Sequence, residues 1–191
     1  MKSAFAWDCR TSAERAAGRI ESGDTVWIGG LTEGTRAFLD ALAERRKGMR
    51  DVTILAAPGV GNERLLDEPV YRDAFSLLLF FGDALTQAYR GADSVDQAAF
   101  LSGGSDAAAE MLCRHFGINA LVVGVPEPDV TGTVHLEQSA SAITLAFSRR
   151  PELTKRFALI EPGAAPGYGT ALPLTGFECF YADTGEAAAA V

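Results

Sequence analysis

Between Ile118 and Leu136 the chain reads strand, rigid turn, glycine, strand, and few backbone paths satisfy that order. Ala120 to Val123 is a short apolar run with the character of a buried strand. It enters Val125-Pro126-Glu127-Pro128-Asp129, where two prolines halt both a helix and a central strand. Gly132 then turns the chain into Thr133-Val134-His135-Leu136, a second short extended segment. The backbone is thereby held in a fixed arc at the carboxyl end of a strand. In open α/β sheets, ligands bind at that edge.

The flanking sequence alternates strand and helix. Thr11-Ser12-Ala13-Glu14 has capping-box spacing, so a helix is expected through Ala16, Ala17 and Ile20, ending at Gly23-Asp24. Thr25 to Ile28 is β-rich and runs into Gly29-Gly30. After Leu31-Thr32-Glu33-Gly34, Phe38, Leu39 and Leu42 mark one face of a helix that Gly48 follows. Strands are expected at Val52–Ala57, Phe75–Phe81, Gln97–Leu101, Phe157–Ile160 and Phe177–Ala182. Helices are expected at Ala84–Tyr89, at Asp106–Phe116 behind a Ser105 cap, and at Ala140–Ser148, with a further short one opened by Pro151. Pro162 to Gly169 reads as a loop. This order implies a three-layer α/β/α sandwich with a mostly parallel sheet, in a single domain over 1–191 whose alanine-rich tail, 184–191, frays.

Charge and cysteine usage narrow the function. A net charge of −8 speaks against nucleic acid, which needs a basic face to displace counterions. The clusters Arg45-Arg46-Lys47 and Arg149-Arg150 read as solvated helix ends. Cys9, Cys113 and Cys179 are far apart and show no metal spacing, so no metal is expected and a reducing cytoplasm fits. Cys113 sits mid-helix among apolar residues and reads as inert; His115 and His135 carry no ligand pattern. Asp8 and Arg10 interrupt the amino-terminal apolar patch too early for a signal peptide, and Leu77–Phe81 is too short to span a bilayer, so no membrane partner is expected.

The arc resembles the Pro-Pro-Asp-x-x-Gly segment in the amino-terminal half of the acetyl-CoA hydrolase and 4-hydroxybutyrate CoA-transferase family. Pro128, Asp129, Gly132, Val134 and Leu136 match that pattern, while Pro126, Glu127, Thr131 and Glu137 depart from it. The wider order agrees over residues 10 to 183. Ser22-Gly23-Asp24 closes the first helix, Asp40-Ala41-Leu42-Ala43-Glu44-Arg45 resembles Asp-Ala-Leu-x-x-Arg, and Phe100-Leu101-Ser102 resembles the family's next strand. Glu161-Pro162 with Tyr168-Gly169 resembles its Asn-Pro…Tyr-Gly loop. The resemblance implies the NagB/RpiA/CoA-transferase-like version of the sandwich.

Gly29, Gly30, Gly34 and Thr35 lie between a strand and a helix, where backbone N–H groups and the helix dipole can face an anion or a developing oxyanion. The plain alternative is a tight turn that needs glycine for its φ angles. The resemblance implies a loop facing an acyl-thioester cleft, with Thr35 replacing the usual proline. Gly59 and Gly61 also follow a strand; on their own they read as a turn, and the resemblance puts them near the cleft. Pro128, Asp129 and Gly132 complete the candidate set, although Asp129 reads first as a carboxylate that stiffens its own turn.

What the resemblance implies chemically is half of an active site. The family's nucleophile is a glutamate in a carboxyl-terminal half, and none of Glu33, Glu161 or Glu178 matches its motif, so no catalytic residue is assigned. The expected substrates are a coenzyme A thioester and a carboxylic acid, with no permanently bound cofactor. The expected partner is a second subunit or carboxyl-terminal domain, or further copies of this chain. Two alternatives stand beside this: a non-catalytic thioester- or small-anion-binding protein, and a relative of sugar-phosphate isomerases and sensors on the same fold.

Overall fold

The computed structural model describes residues 13–29, 32–56, 69–80, 98–99, 105–136, 138–165, 167 and 169–181. Strands β1 (Thr25–Ile28), β2 (Thr53–Ala56), β3 (Ser76–Phe80), β4 (Ala98–Ala99), β5 (Ala120–Pro126), β7 (Lys155–Glu161) and β9 (Glu178–Tyr181) form one sheet in the order β4-β3-β2-β1-β5-β7-β9. Every pairing in it is parallel. From β1 the chain steps outward through β2, β3 and β4, then returns to start β5 on the other side of β1. The point between β1 and β5 is therefore a topological switch, where such sheets open a crevice at their carboxyl edge.

Helices cover both faces because each strand is apolar on both. Val26, Ile28, Ile54, Ala56, Val122 and Phe157 point toward α1 (Ala13–Ala17), α2 (Glu33–Glu44) and α3 (Pro69–Ala74), where Ile20, Phe38, Leu39, Leu42 and Tyr71 complete a buried cluster. Trp27, Leu55 and Leu121 point the opposite way, toward α4 (Ser105–Phe116) and α5 (Gln138–Ser148). Trp27 stacks on Phe147 there, with ring centroids 4.4 Å apart. A third cluster lies on the α5 face beyond this pair. There an antiparallel ribbon, β6 (Thr133–His135) and β8 (Ala171–Pro173), lays Val134, Leu136, Leu172 and Leu174 over Val123, Val125, Ala158 and Ile160. Three layers result, as the alternation in the sequence implies.

Three local differences from the sequence reading have physical causes. The strand starting at Ala120 continues to Pro126, paired with β7 throughout. Val122 turns its carbonyl to Gly29 N–H on the β1 side, and by two-residue alternation Pro126 faces that side too. β1 has ended by then, so the missing proline N–H costs no ladder bond. Pro151 opens a turn and not a helix: Leu153 N–H bonds back to Arg150 C=O, and β7 follows almost at once. β8 was not expected, being three residues amid proline and glycine, and it exists because β6 pairs with it. The expected helix at Ala84–Tyr89, the capping residues Thr11 and Ser12, and the tail lie outside the described residues.

At the amino edge of the sheet a polar knot joins β1, β5 and β7. Asp24 is buried, and its Oδ2 accepts from Glu21 N–H at 2.8 Å and Lys155 Nζ at 2.6 Å. Its Oδ1 accepts from Asn119 Nδ2 at 2.7 Å, and Asn119 Oδ1 accepts from Thr25 N–H at 3.0 Å. Burial pushes the Asp24 carboxyl up, but the bonds from Glu21 N–H, Lys155 and Asn119 outweigh it and hold the group below the usual carboxylate range. One arginine of each basic cluster has a structural partner, while Arg46, Lys47 and Arg149 are exposed. Arg45 donates to the carbonyls of Ala17 and Ile20, closing α1, and Arg150 pairs with Glu152 and Glu110. Burial raises the Cys113 thiol to about 11, which suits an unreactive side chain.

Candidate functional site at the carboxyl edge of the sheet

The ends of β1, β5 and β7 and the first turn of α2 meet at the opposite edge. Thr32 precedes α2 in an extended conformation suited to capping. Its Oγ1 accepts from Thr35 N–H at 3.3 Å, and Thr35 Oγ1 accepts from Thr32 N–H at 2.7 Å, a reciprocal box that satisfies two otherwise orphaned donors. Arg36 N–H bonds to Thr32 C=O at 2.9 Å. Gly34 N–H donates to Glu161 Oε1 at 2.9 Å, so the carboxylate that ends β7 sits on the positive end of α2.

Gly124 makes room for this arrangement. A Cβ on it would stand 2.0 Å from Thr32 Oγ1 and 2.8 Å from Glu161 Oε1, so no other residue fits without moving both. The absence of a side chain in the middle of β5 is what lets a helix cap and a carboxylate approach the strand. Gly29 does the same on the other face of the sheet, where an added Cβ would lie 3.0 Å from Thr144 Oγ1 on α5. Thr144 is 1% exposed, and among the described residues its hydroxyl finds no hydrogen-bond partner. An unpaired buried hydroxyl carries its desolvation cost uncompensated. Thr144→Val, which keeps the shape, is therefore expected to raise stability by about 1 kcal/mol. A thermal unfolding curve with an unchanged or lower midpoint would mean that the hydroxyl is bonded in solution.

Beyond β5 the arc is held by its own carboxylate. Asp129 Oδ1 accepts from Thr131 Oγ1 at 2.6 Å, Thr131 N–H at 2.8 Å and Thr133 N–H at 3.0 Å. These bonds, the Thr131 hydroxyl foremost, hold the carboxyl below its ordinary range. Gly132 has φ +76°, a conformation that favours glycine, and its N–H donates to Asp129 C=O at 3.0 Å. Leu174 N–H bonds to Gly132 C=O and ties the arc to the strand β8 segment. The exposed Asp129 thus serves its own turn, as the sequence suggests for an Asx-type bend.

The candidate residues therefore fall into two groups. Gly29, Gly34 and Thr35 converge on the switch between β1 and β5, and Pro128, Asp129 and Gly132 form the arc that leaves β5. Gly30, Gly59 and Gly61 lie outside the described residues. The N–H groups of Gly34 and Thr35, which the sequence offers to an external anion, are engaged by Glu161 and Thr32. Sequence reasoning passed over Thr32, Gly124, Thr144 and Glu161 as site residues. Two of them had a readable signal: a threonine just before an acidic first turn marks a helix cap, and a lone glycine inside an apolar strand marks close approach. Nothing in the sequence announces Thr144. Among the described residues no group of three or more His, Cys, Asp and Glu side chains could hold a metal, and no helix is long and apolar enough to cross a membrane.

No protein-family model matches the sequence, and neither does any curated protein. Solved structures do match by shape. RipA from Yersinia pestis superposes with a TM-score of 0.60 at 17% identity, over 96% of this chain and 44% of that one. A variant of the decarboxylase AibA/AibB superposes with a TM-score of 0.55 at 14% identity, over 92% of this chain and 83% of that one. At such identities the likeness is one of fold. The chain is a three-layer α/β/α sandwich with the fold of these structures, and it spans less than half the length of RipA.

Proposed function

We propose that this chain is the amino-terminal half, as a subunit or a domain, of a CoA-transferase or acyl-CoA hydrolase. The observation that carries the reading is the fold match that takes in 96% of this chain but 44% of RipA, as a half of a larger machine would. In this reading the carboxyl edge of the sheet lines the acyl-thioester cleft, with Gly29, Gly34 and Thr35 on one side and the Pro128–Gly132 arc on the other. The family resemblance would add Gly30, Gly59 and Gly61, which lie outside the described residues.

The second half supplies a glutamate. Its carboxylate attacks the thioester carbonyl, a C–O bond forms as the C–S bond breaks, and the CoA thiolate leaves behind a mixed anhydride. The thiolate then attacks the glutamyl carbonyl and releases the acyl group as a free acid. The acceptor acid, or water, completes turnover. A decarboxylase named for two components, AibA and AibB, shares the fold, which supports a two-part assembly, while a shared fold does not fix the reaction.

The test is the native mass and composition of the chain purified from its own cells. A second polypeptide or covalently linked domain of similar size, with thioester exchange only when both are present, is the expected result. A homo-oligomer without activity on any acyl-CoA would overturn it.

A further inference from the structure

We infer that the Thr144 hydroxyl is a substrate-binding donor, held for the carbonyl oxygen of the acyl thioester at the switch between β1 and β5. The inference deepens the thioester reading of this edge and rests on it. β1 ends at Ile28, level with Val122, and Gly29 N–H bonds across to Val122 C=O. β5 continues through Gly124 and Val125 to Pro126, so beyond Gly29 it borders the crevice of the switch. Thr144 flanks that place from the α5 face. Its Oγ1 stands 3.0 Å from where a Gly29 Cβ would be, and Val123 Cγ2 lies 3.5 Å from the same point. The bare glycine therefore leaves the hydroxyl at the end of β1, in space that a side chain would contest.

The state of this hydroxyl points to a ligand. A threonine inside a helix commonly returns its hydroxyl to the carbonyl three or four residues earlier. Thr144 is 1% exposed, yet among the described residues its Oγ1 has no partner. Valine has the same shape and would fill the place without the desolvation cost, so packing gives no reason for an oxygen there. At the same edge the N–H groups of Gly34 and Thr35 are engaged by Glu161 and Thr32, whereas this O–H is idle. A neutral O–H suits an uncharged acceptor such as a thioester carbonyl. Away from water the bond is stronger than at a wet surface, and it strengthens further as the carbonyl oxygen gains charge under attack. No covalent bond to Thr144 forms at any point.

The experiment measures turnover of straight-chain acyl-CoA esters, from acetyl-CoA to hexanoyl-CoA, by the native assembly purified from its own cells. The same assembly is then tested carrying Thr144→Val or Thr144→Ser. In Thr144→Val, kcat is expected to fall about a hundredfold, the scale of one lost donor to a developing oxyanion, with KM for the ester little changed. The thermal midpoint of that variant should rise, because an idle buried hydroxyl has gone. Thr144→Ser keeps the donor and should recover most of kcat. A gain in stability joined to a loss of turnover separates a donor held for substrate from a structural hydroxyl. An unchanged kcat in Thr144→Val overturns the inference and leaves the thioester reading standing. A fall in kcat with a lower midpoint does the same, as does a serine variant as slow as the valine one. If the native assembly turns over none of the esters, the thioester reading and the inference fall together.

Discussion

Asp24→Ala is expected to lower stability by about 3 kcal/mol, the lower end of the cost of stranding one member of a buried charged pair. For a chain of this size that is a fall of roughly 6–12 °C in the melting temperature. The lower end applies because the Lys155 side chain keeps 22% of its exposure, against 7% for that of Asp24. The substitution also strips the acceptor from Asn119 and from Glu21 N–H, loosening β1, β5 and β7 together. The pH dependence has a defined sign. The folded Asp24 carboxyl lies below its ordinary value, so its contribution is present above that value and disappears as pH falls through the lowered one. Burial pushes Lys155 down, but Asp24 and Glu21 outweigh it and raise the group, so its contribution holds below the ordinary lysine value and disappears as pH climbs through the raised one. The gap in stability between native protein and variant should therefore be a plateau near neutrality that narrows at both extremes. Calorimetry across pH would show it; a gap that stays constant into acid would refute the assignment.

Gly124→Val should cost about 2–4 kcal/mol, combining overpacking with the loss of a helix cap. A Cβ placed 2.0 Å from Thr32 Oγ1 cannot be accommodated by small adjustments, because Thr32 is pinned through its reciprocal bonds with Thr35. The first turn of α2 has to move, and Gly34 N–H separates from Glu161. Hydrogen exchange at Gly34, Thr35 and Arg36 should accelerate more than at the strands. Adding Thr32→Ala to the variant should recover part of the loss, since the two positions share one clash. A Gly124→Val protein within about 0.5 kcal/mol of the native chain would show that β5 and the cap are not in contact.

The layers of the fold were legible because burial on both faces writes a continuous apolar code into strands such as Val26–Ile28 and Leu121–Val123, and helices between them leave a 3.6-residue period. Gly132 and Asp129 were legible because a positive φ and an Asx bend each demand a particular residue. β8 escaped notice because a three-residue strand holds too little pattern to stand out, and its pairing with β6 is a tertiary fact. The engagement of Gly34 by Glu161 was hidden for a similar reason: 127 residues separate donor and acceptor, and local spacing carries no trace of that contact. The glycine turn could be read as a set of free donors from its own residues alone. The structure shows where those donors point.

The knot at the amino edge has one more property. Its members come from positions 24, 119 and 155, on neighbouring strands between which the chain passes through β2, β3 and β4. It closes only when β1, β5 and β7 have come together from distant parts of the chain, and pairings of such sequence separation contribute little to the speed of assembly. Opening it is an early demand on any route out of the native state. The charge pair therefore acts mainly as a brake on unfolding, and a chain lacking it would be lost sooner to proteolysis even at temperatures where it still folds.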